Sequence, residues 1–174
     1  FPKHLTYCLN IHPGEAWAEN LAAIRQHAMR VRDAVAPRQP FGLGLRLGAR
    51  AAEQLARPAA LTELRKLLDD HGLYVFTVNG FPFGKFHGSA VKESVYRPDW
   101  RTPQRRDYTR TLIDILAALL PEGVAGSIST VPGAYGPWIT TPQDKLAMAA
   151  MLASTAAHAD RVRRETGRDI CIAL

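Results

Sequence analysis

LYVFTVNGFPFGKFH, residues 73–87, reads as a buried strand that stops at Asn79-Gly80 and gives way to a loop holding Pro82, Gly84, Lys85 and His87. The run from Leu73 to Val78 is apolar, aromatic and β-branched, the composition of a strand in a covered sheet. α/β enzymes place their chemistry where such a strand meets a polar, glycine-punctuated loop. Similar transitions recur along this chain, so its order of elements bears on both fold and function.

Upstream, His4 to Asn10 reads as a first strand, and Glu15 to Val35 as a helix whose Trp17, Leu21, Ile24, Ala28, Val31 and Val35 recur at steps of three and four. Pro37 and Pro40 end it. Phe41 to Leu47 is a second strand whose glycines imply close approach of another backbone or a ligand. A helical region over 49–71 breaks near Pro58, buries Leu61, Leu64, Leu67 and Leu68, and is capped by Gly72. Downstream, the long segment 79–103 carries Phe81, Phe83, Phe86, Tyr96 and Trp100, too much apolar surface for a disordered tail, and is expected to fold over the site. Gln104 to Leu120 is a helix with Leu112, Ile115, Leu116 and Leu119 inward, and Val124 to Val131 is a fourth strand. Pro142 to Glu165 is a helix with Thr141 at its N-cap and Pro142 at its first position. Gly167 ends it, and Asp169 to Leu174 is a fifth strand.

The order βαβαβαβαβ calls for parallel strands with helical crossovers. It is open to two closures, a doubly wound sheet or a (βα)8 TIM barrel of which this is about half. No G-x-G-x-x-G follows the first strand and no P-loop lysine motif follows any strand, which counts against a nucleotide-binding doubly wound sheet. The expected fold class is therefore α/β, residues 1–174 forming one partial barrel domain that stops after strand five. An isolated half barrel leaves strands one and five unpaired. A homo-oligomer covering those open edges, further C-terminal sequence, or proteolysis would each account for this.

The 174 residues suffice for one sizeable core. No apolar run reaches the ~20 residues of a membrane span, and no signal-peptide pattern opens the chain. Cys8 and Cys171 fall inside predicted strands and are expected to be buried, reduced thiols of a cytoplasmic protein. The net charge of +6 comes mainly from arginines spread over several helices, Arg105, Arg106 and Arg110 among them, and is expected to sit on solvated outer faces. No aromatic-basic motif of an RNA-binding sheet occurs, so nucleic acid is not an expected partner, whereas a mildly basic field draws in anionic small molecules.

Residues at the C-terminal ends of barrel strands converge on one mouth. Here they are Asn10 and His12, Arg46, Asn79, and Ser127 or Ser129 with Thr130. His12 suits proton transfer or metal ligation, or else a turn held by local backbone bonds. Arg46 offers a fork for phosphate or carboxylate, or else a structural ion pair whose acidic partner lies beyond this half. Asn79 can fix a substrate hydroxyl or satisfy its own turn, with Gly80 permitting close approach. His87 is a second acid–base candidate, desolvated by Phe83 and Phe86, and Lys92 could neutralise an anion. Tyr96 and Trp100 suit stapling of the long loop, and Trp138 divides between that role and stacking on a ligand. Ser127 and Ser129 share one strand face, and no G-x-S-x-G elbow surrounds them.

The blocks HLTYCLNIHPGE, FGLGLRL, LYVFTVNGFPFGKFHG, VKESVYRPDW and GSISTVPGAYGPW together resemble the EboE family of metabolite traffic proteins, over nearly the whole chain. The resemblance implies a xylose isomerase-like TIM barrel of the sugar phosphate isomerase and epimerase superfamily. It also implies a divalent metal held by carboxylates and a histidine from later strands, beginning with a glutamate just after strand five, so that no ligand is carried over to this chain. The function expected on that basis is isomerisation or epimerisation of a small polyhydroxylated metabolite, with His12 and His87 as catalytic groups and Arg46, Asn79, Lys92, Ser129 and Trp138 binding substrate. The alternative is a non-catalytic carrier in a metabolite export pathway, using the same mouth for recognition.

Overall fold

A computed structural model describes residues 4–84 and 92–174. Five strands, β1 (Thr6–Cys8), β2 (Phe41–Arg46), β3 (Leu73–Asn79), β4 (Gly126–Ser129) and β5 (Ile170–Ala173), form one parallel sheet in the order β1-β2-β3-β4-β5. The helices are α1 (Trp17–Ala23), continued through a π-helical segment (Ile24–Ala28) into α2 (Met29–Val35), then α3 (Ala49–Leu55), α4 (Pro58–Asp70), α5 (Pro103–Leu119) and α6 (Pro142–Thr166).

Their ends follow local chemistry. Pro58, Pro103 and Pro142 each open a helix, where a missing N–H costs nothing. The Thr141 hydroxyl accepts from the Asp144 N–H and the Asp144 carboxylate accepts from the Thr141 N–H at 3.0 Å, a reciprocal cap. Gly167, with φ of 71°, closes the same helix in the left-handed region. The first strand is shorter than expected because the chain turns into a 3-10 segment (Leu9–Ile11).

Consecutive strand order means that every crossover advances the same way. With right-handed connections all helices then fall on one face of the sheet, so the sheet is singly wound. That face carries the core. Phe41, Leu43 and Leu45 of β2, Leu73, Val75 and Val78 of β3 and Ile128 of β4 pack under Leu64, Leu112, Ile115 and Leu116. Each such side chain contributes roughly 1.5–3 kcal/mol by leaving water.

Leu73, Val75 and Val78 break strict alternation. Leu43 pairs with Val75 but Gly44 pairs with Thr77, so Phe76 and Thr77 together oppose one position of β2. This β-bulge resets the phase of β3, and Asn79 consequently points to the face away from the helices.

That second face, here termed the trough, carries three layers of side chains along the strands. At its N-terminal end His4, Tyr74 and Phe76 cluster: His4 Nδ1 lies 3.0 Å from the Tyr74 hydroxyl, and the His4 and Phe76 rings are 4.8 Å apart. A Cβ on Gly42 would come within 2.8 Å of the Phe76 ring and 2.6 Å of the Leu5 carbonyl, so only glycine leaves room for this plug. The middle layer runs Cys8, Gly44, Thr77, Ser127, Cys171 in register. The upper layer runs Arg46, Asn79, Ser129, Ala173. Cys8 and Cys171 are exposed rather than buried, because both point into the trough from the two edge strands.

Gly80 locks the upper ends of β3 and β4 together. Its N–H donates to the Ser129 carbonyl at 2.9 Å, and an added Cβ would strike the Leu112 side chain and lie 3.1 Å from that carbonyl. Gly80→Ala is expected to cost about 1–3 kcal/mol of stability in urea denaturation through overpacking. A loss within error would show that α5 yields freely at this point.

Candidate functional site

The upper layer is where the chemistry-bearing side chains gather. The Asn79 Oδ1 accepts from the Phe81 N–H at 2.9 Å and from the Ser129 hydroxyl at 3.2 Å. A backbone N–H can only donate, so it fixes which end of the amide is oxygen. The Nδ2 hydrogens consequently face the trough, and none of the described residues accepts from them. One layer down, the Ser127 hydroxyl donates to Thr77 Oγ1 at 3.0 Å. Both serines thus lie on the trough face, as their shared parity requires.

Arg46 ends β2 with 1% of its side chain exposed. Its Nη2 donates to the Gly14 carbonyl, and Glu15 Oε1 stands 3.7 Å away. The acidic partner expected beyond this half is thus in the turn after β1, within the chain itself. Nε and Nη1 of Arg46 are buried and have no partner among the described residues. The row accordingly presents the Asn79 amide hydrogens beside the acceptor lone pairs of Ser129, while the guanidinium of Arg46 stays buried at its end. Such a set suits hydroxyl, carbonyl or oxyanion oxygens.

A rim of packed loops stands over this row. Arg105, wholly buried, donates from Nε to the Pro98 carbonyl at 2.7 Å and from Nη1 to the Gly80 and Phe81 carbonyls at 2.9 and 3.3 Å. Burial pushes its pKa down. The expectation of a solvated outer face fails for Arg105: it lies in phase with Tyr108, Thr109, Leu112, Leu116 and Leu119, the inner stripe of α5, a signal that could have located it. Arg110, half-buried, donates to the Ser154 carbonyl and hydroxyl on α6. The Trp100 indole donates to the Val131 carbonyl at 3.0 Å, the stapling role expected of it. Arg101 joins the two loops, donating to Asp99 at 2.8 Å, to Asp144 at 2.9 Å and to the Trp138 carbonyl at 2.9 Å. Sequence reading passed over Arg101 altogether, since its partners lie on two separate loops.

Aromatic rings extend the rim. Phe81, Tyr96, Tyr135 and Trp138 follow one another at 5.9, 5.6 and 5.4 Å between centroids, and the Arg97 guanidinium lies 4.2 Å over the Trp138 ring. Trp138 therefore stands at the outer end of a ladder that begins two residues beyond Asn79. A cleft of about 600 Å³ opens outside this rim between Phe83, Arg97, Arg101, Gln104 and Asp144.

The remaining candidates fall elsewhere. His12 follows the turn after β1, its Nε2 2.8 Å from the Tyr7 hydroxyl and its ring stacked on His27 of the π segment at 4.2 Å. Lys92 opens a 3-10 turn (Lys92–Tyr96), and His87 lies outside the described residues. The structure thus brings together Arg46, Asn79 and Ser129, with Trp138 on the rim above, and turns His12 toward the first helix.

The row does not fit a divalent metal. A guanidinium would repel the cation, and among the described residues no three His, Cys, Asp or Glu side chains converge. Nor is any described helix long and apolar enough to cross a membrane. Comparison with protein-family models and with curated proteins returned no match.

Asp144 reports on the rim. Its hydrogen bond from Arg101, then those from Thr141, hold its pKa at about 2. An unfolded aspartate titrates near ~3.9, so the ionised carboxylate stabilises the fold above that value, and the contribution disappears as pH falls through 2. Asp144→Asn is expected to lower the thermal midpoint at pH 6, with the difference from the parent shrinking steadily from pH 4 to pH 2. A difference that stays constant with pH would mean that the charge has no role there.

Proposed function

We propose that this chain is the first half of a (βα)8 barrel of xylose isomerase-like kind, whose C-terminal row holds a small polyhydroxylated metabolite for isomerisation or epimerisation. The observation that carries the reading is the register Arg46–Asn79–Ser129 on the face without helices, with the Asn79 amide turned so that its hydrogens meet the ligand. Barrel closure is supported by what lies at the β5 side. Residues 146–159 of α6, LAMAAMLASTAAHA, carry no Asp, Glu, Lys or Arg on any face, although Leu146 is largely exposed. A helix stretch this long without Asp, Glu, Lys or Arg suits burial between two neighbours. Further strands and helices, from the same chain or a second copy, would cover it and pair β1 and β5.

The layered trough fits this closure: an aromatic plug at the N-terminal end, small side chains in the middle, polar groups at the C-terminal end where barrels bind their substrates. The resemblance supplies the reaction class, proton movement beside a carbonyl. A metal of the kind the family resemblance implies finds no fitting donors here, and no step is routed through one.

One observation favours the second reading, a carrier. Arg46, Thr77, Asn79, Ser127 and Ser129 include no group that titrates near neutrality, and proton transfer needs one. Recognition alone needs only the hydrogen bonds already present.

Two experiments bear on this. Saturation-transfer NMR against aldoses, ketoses, polyols and their phosphates is expected to find a ligand whose binding weakens at least about tenfold in Asn79→Ala, with Gly136→Ala on the rim as an unaffected control. Binding that ignores Asn79 would remove the row from the site. For the bound ligand, deuterium uptake from D2O beside its carbonyl marks an isomerase, and binding without uptake marks a carrier. The fold proposal is tested separately by the native thiols. A flat sheet would hold the Cα atoms of Cys8 and Cys171 about 19 Å apart, four strand spacings of ~4.8 Å. A barrel curve brings the inward thiols closer, so a bis-maleimide spanning about 13 Å is expected to link them within one chain, and failure of both labelled thiols to link would contradict the curve.

A further inference from the structure

Gly44 lies inside β2 on the trough face, in register between Cys8 and Thr77 and two residues below Arg46. A glycine inside a strand weakens it, through lost side-chain packing and a freer unfolded chain, so the position asks for a reason. Backbone conformation does not supply one. Gly44 is an ordinary strand residue without a positive φ, although the bulge of β3 lies opposite it. Packing does not supply one either. An added Cβ would lie 3.4 Å from Thr77 Cγ2 and 3.6 Å from Cys8 Cα and Thr6 Oγ1, which are ordinary contacts. Gly42, one layer below, is the opposite case, since a Cβ there would overlap the Phe76 ring. The effect left to Gly44 is to keep the trough face bare beside Thr77.

Thr77 and Ser127, both half-buried, share one hydrogen bond, the Ser127 hydroxyl donating to Thr77 Oγ1 at 3.0 Å. Whichever of the two donates, the pair keeps one hydroxyl hydrogen that no other described residue accepts, next to free lone pairs. A donor and an acceptor side by side match a single alcohol group, which donates and accepts at once. The pair lies two residues below Asn79 and Ser129. Along parallel strands that is ~6.6 Å, about the span of a five- or six-carbon chain.

We propose that Thr77, Ser127 and Gly44 form the inner end of the ligand site. The hydroxyl pair reads an alcohol one layer beneath the Asn79 row, and Gly44 keeps the space beside it open. The site then takes open polyhydroxylated chains of about five or more carbons in preference to shorter ones. This inference rests on the reading of the row as a ligand site, and adds the length and the end group of what it holds.

The test uses erythritol, xylitol and sorbitol, with four, five and six carbons, as rulers in saturation-transfer NMR on the intact chain. Xylitol and sorbitol are expected to bind about tenfold more tightly than erythritol, the worth of one good hydrogen bond. Thr77→Val keeps the side-chain shape and removes the hydroxyl, and Gly44→Val fills the space. Each is expected to bring xylitol down to the affinity of erythritol and to leave erythritol itself unchanged. Gly44→Ala is expected to raise the thermal midpoint, because its backbone accepts alanine and the unfolded chain loses freedom. Xylitol binding that survives both valine variants but weakens in Asn79→Ala overturns the inner end and leaves the row standing. Binding indifferent to Asn79 as well, or no binding of any of the three, overturns both. Equal affinity for the three polyols overturns the length preference. A lower midpoint in Gly44→Ala would mean that packing requires the glycine, and would also overturn the proposal.

Discussion

One extra residue in β3 decides which side chains meet. Strand side chains alternate with period two, so without the bulge at Phe76–Thr77 the odd-numbered Asn79 would share the face of Leu73 and Val75 and be driven into the helix-covered core. The bulge allows Val75 and Val78 both to fill that core while Thr77 and Asn79 face the trough. Everything else in the upper layer follows from that phase. Asn79 comes level with Arg46 on one side and Ser129 on the other, and its amide is oriented by both the Phe81 N–H and the Ser129 hydroxyl. Bulges recur beside functional sites because they re-aim a side chain without moving the strand.

The rim depends on a different constraint, the cost of a buried guanidinium. Arg46 and Arg105 are both almost wholly out of water. Arg105 is held by three backbone carbonyls, from Pro98, Gly80 and Phe81, and among the described residues no carboxylate pairs with it. Charge-assisted bonds to carbonyls offset part of the desolvation, and they do so only while those carbonyls stay aimed at the ion. The arginine thereby fixes the course of the chain just after Asn79. Arg101 fixes the facing loop in the same way through Asp99, Asp144 and the Trp138 carbonyl. The exposed pairs Lys66–Asp70 and Arg163–Asp160 hold no such geometry and contribute little.

Much of this was legible in residue order. Alternating strand and helix patterns, Pro58, the Thr141-Pro142 cap and the glycine C-caps placed nearly every element, because each signal acts through local backbone chemistry. Arg46, Asn79 and Ser129 were found from their position at strand ends. The bulge was not found, since Leu73 to Val78 reads as uniformly apolar and hides the change of phase. The cysteines were misplaced for a related reason: thiols in apolar strands are usually buried, but the bare face of a singly wound sheet leaves its edges open. The buried arginine of α5 was masked by composition, three arginines read as one solvated group although only Arg105 lies in phase with the apolar stripe. His12 was read from its neighbours in sequence, whereas its partners, Tyr7 and His27, come from the strand before and the helix after.

The two halves of the trough obey opposite requirements, which bears on how a ligand would enter. At the N-terminal end Gly42 gives up its side chain so that Phe76, Tyr74 and His4 can fill the space. At the other end Gly44, Thr77 and Ser127 are small, and Arg46 is drawn aside by the Gly14 carbonyl and Glu15. This end of the face is therefore lined by side chains that are short or held back, where loops and not helices form the boundary. On the proposed function, a ligand approaching from the loop end would meet the Asn79 amide first and the Thr77–Ser127 pair beneath it. On the proposed function, the turn at Gly14 that holds the guanidinium withdrawn would bear on both the size and the charge of what the row accepts.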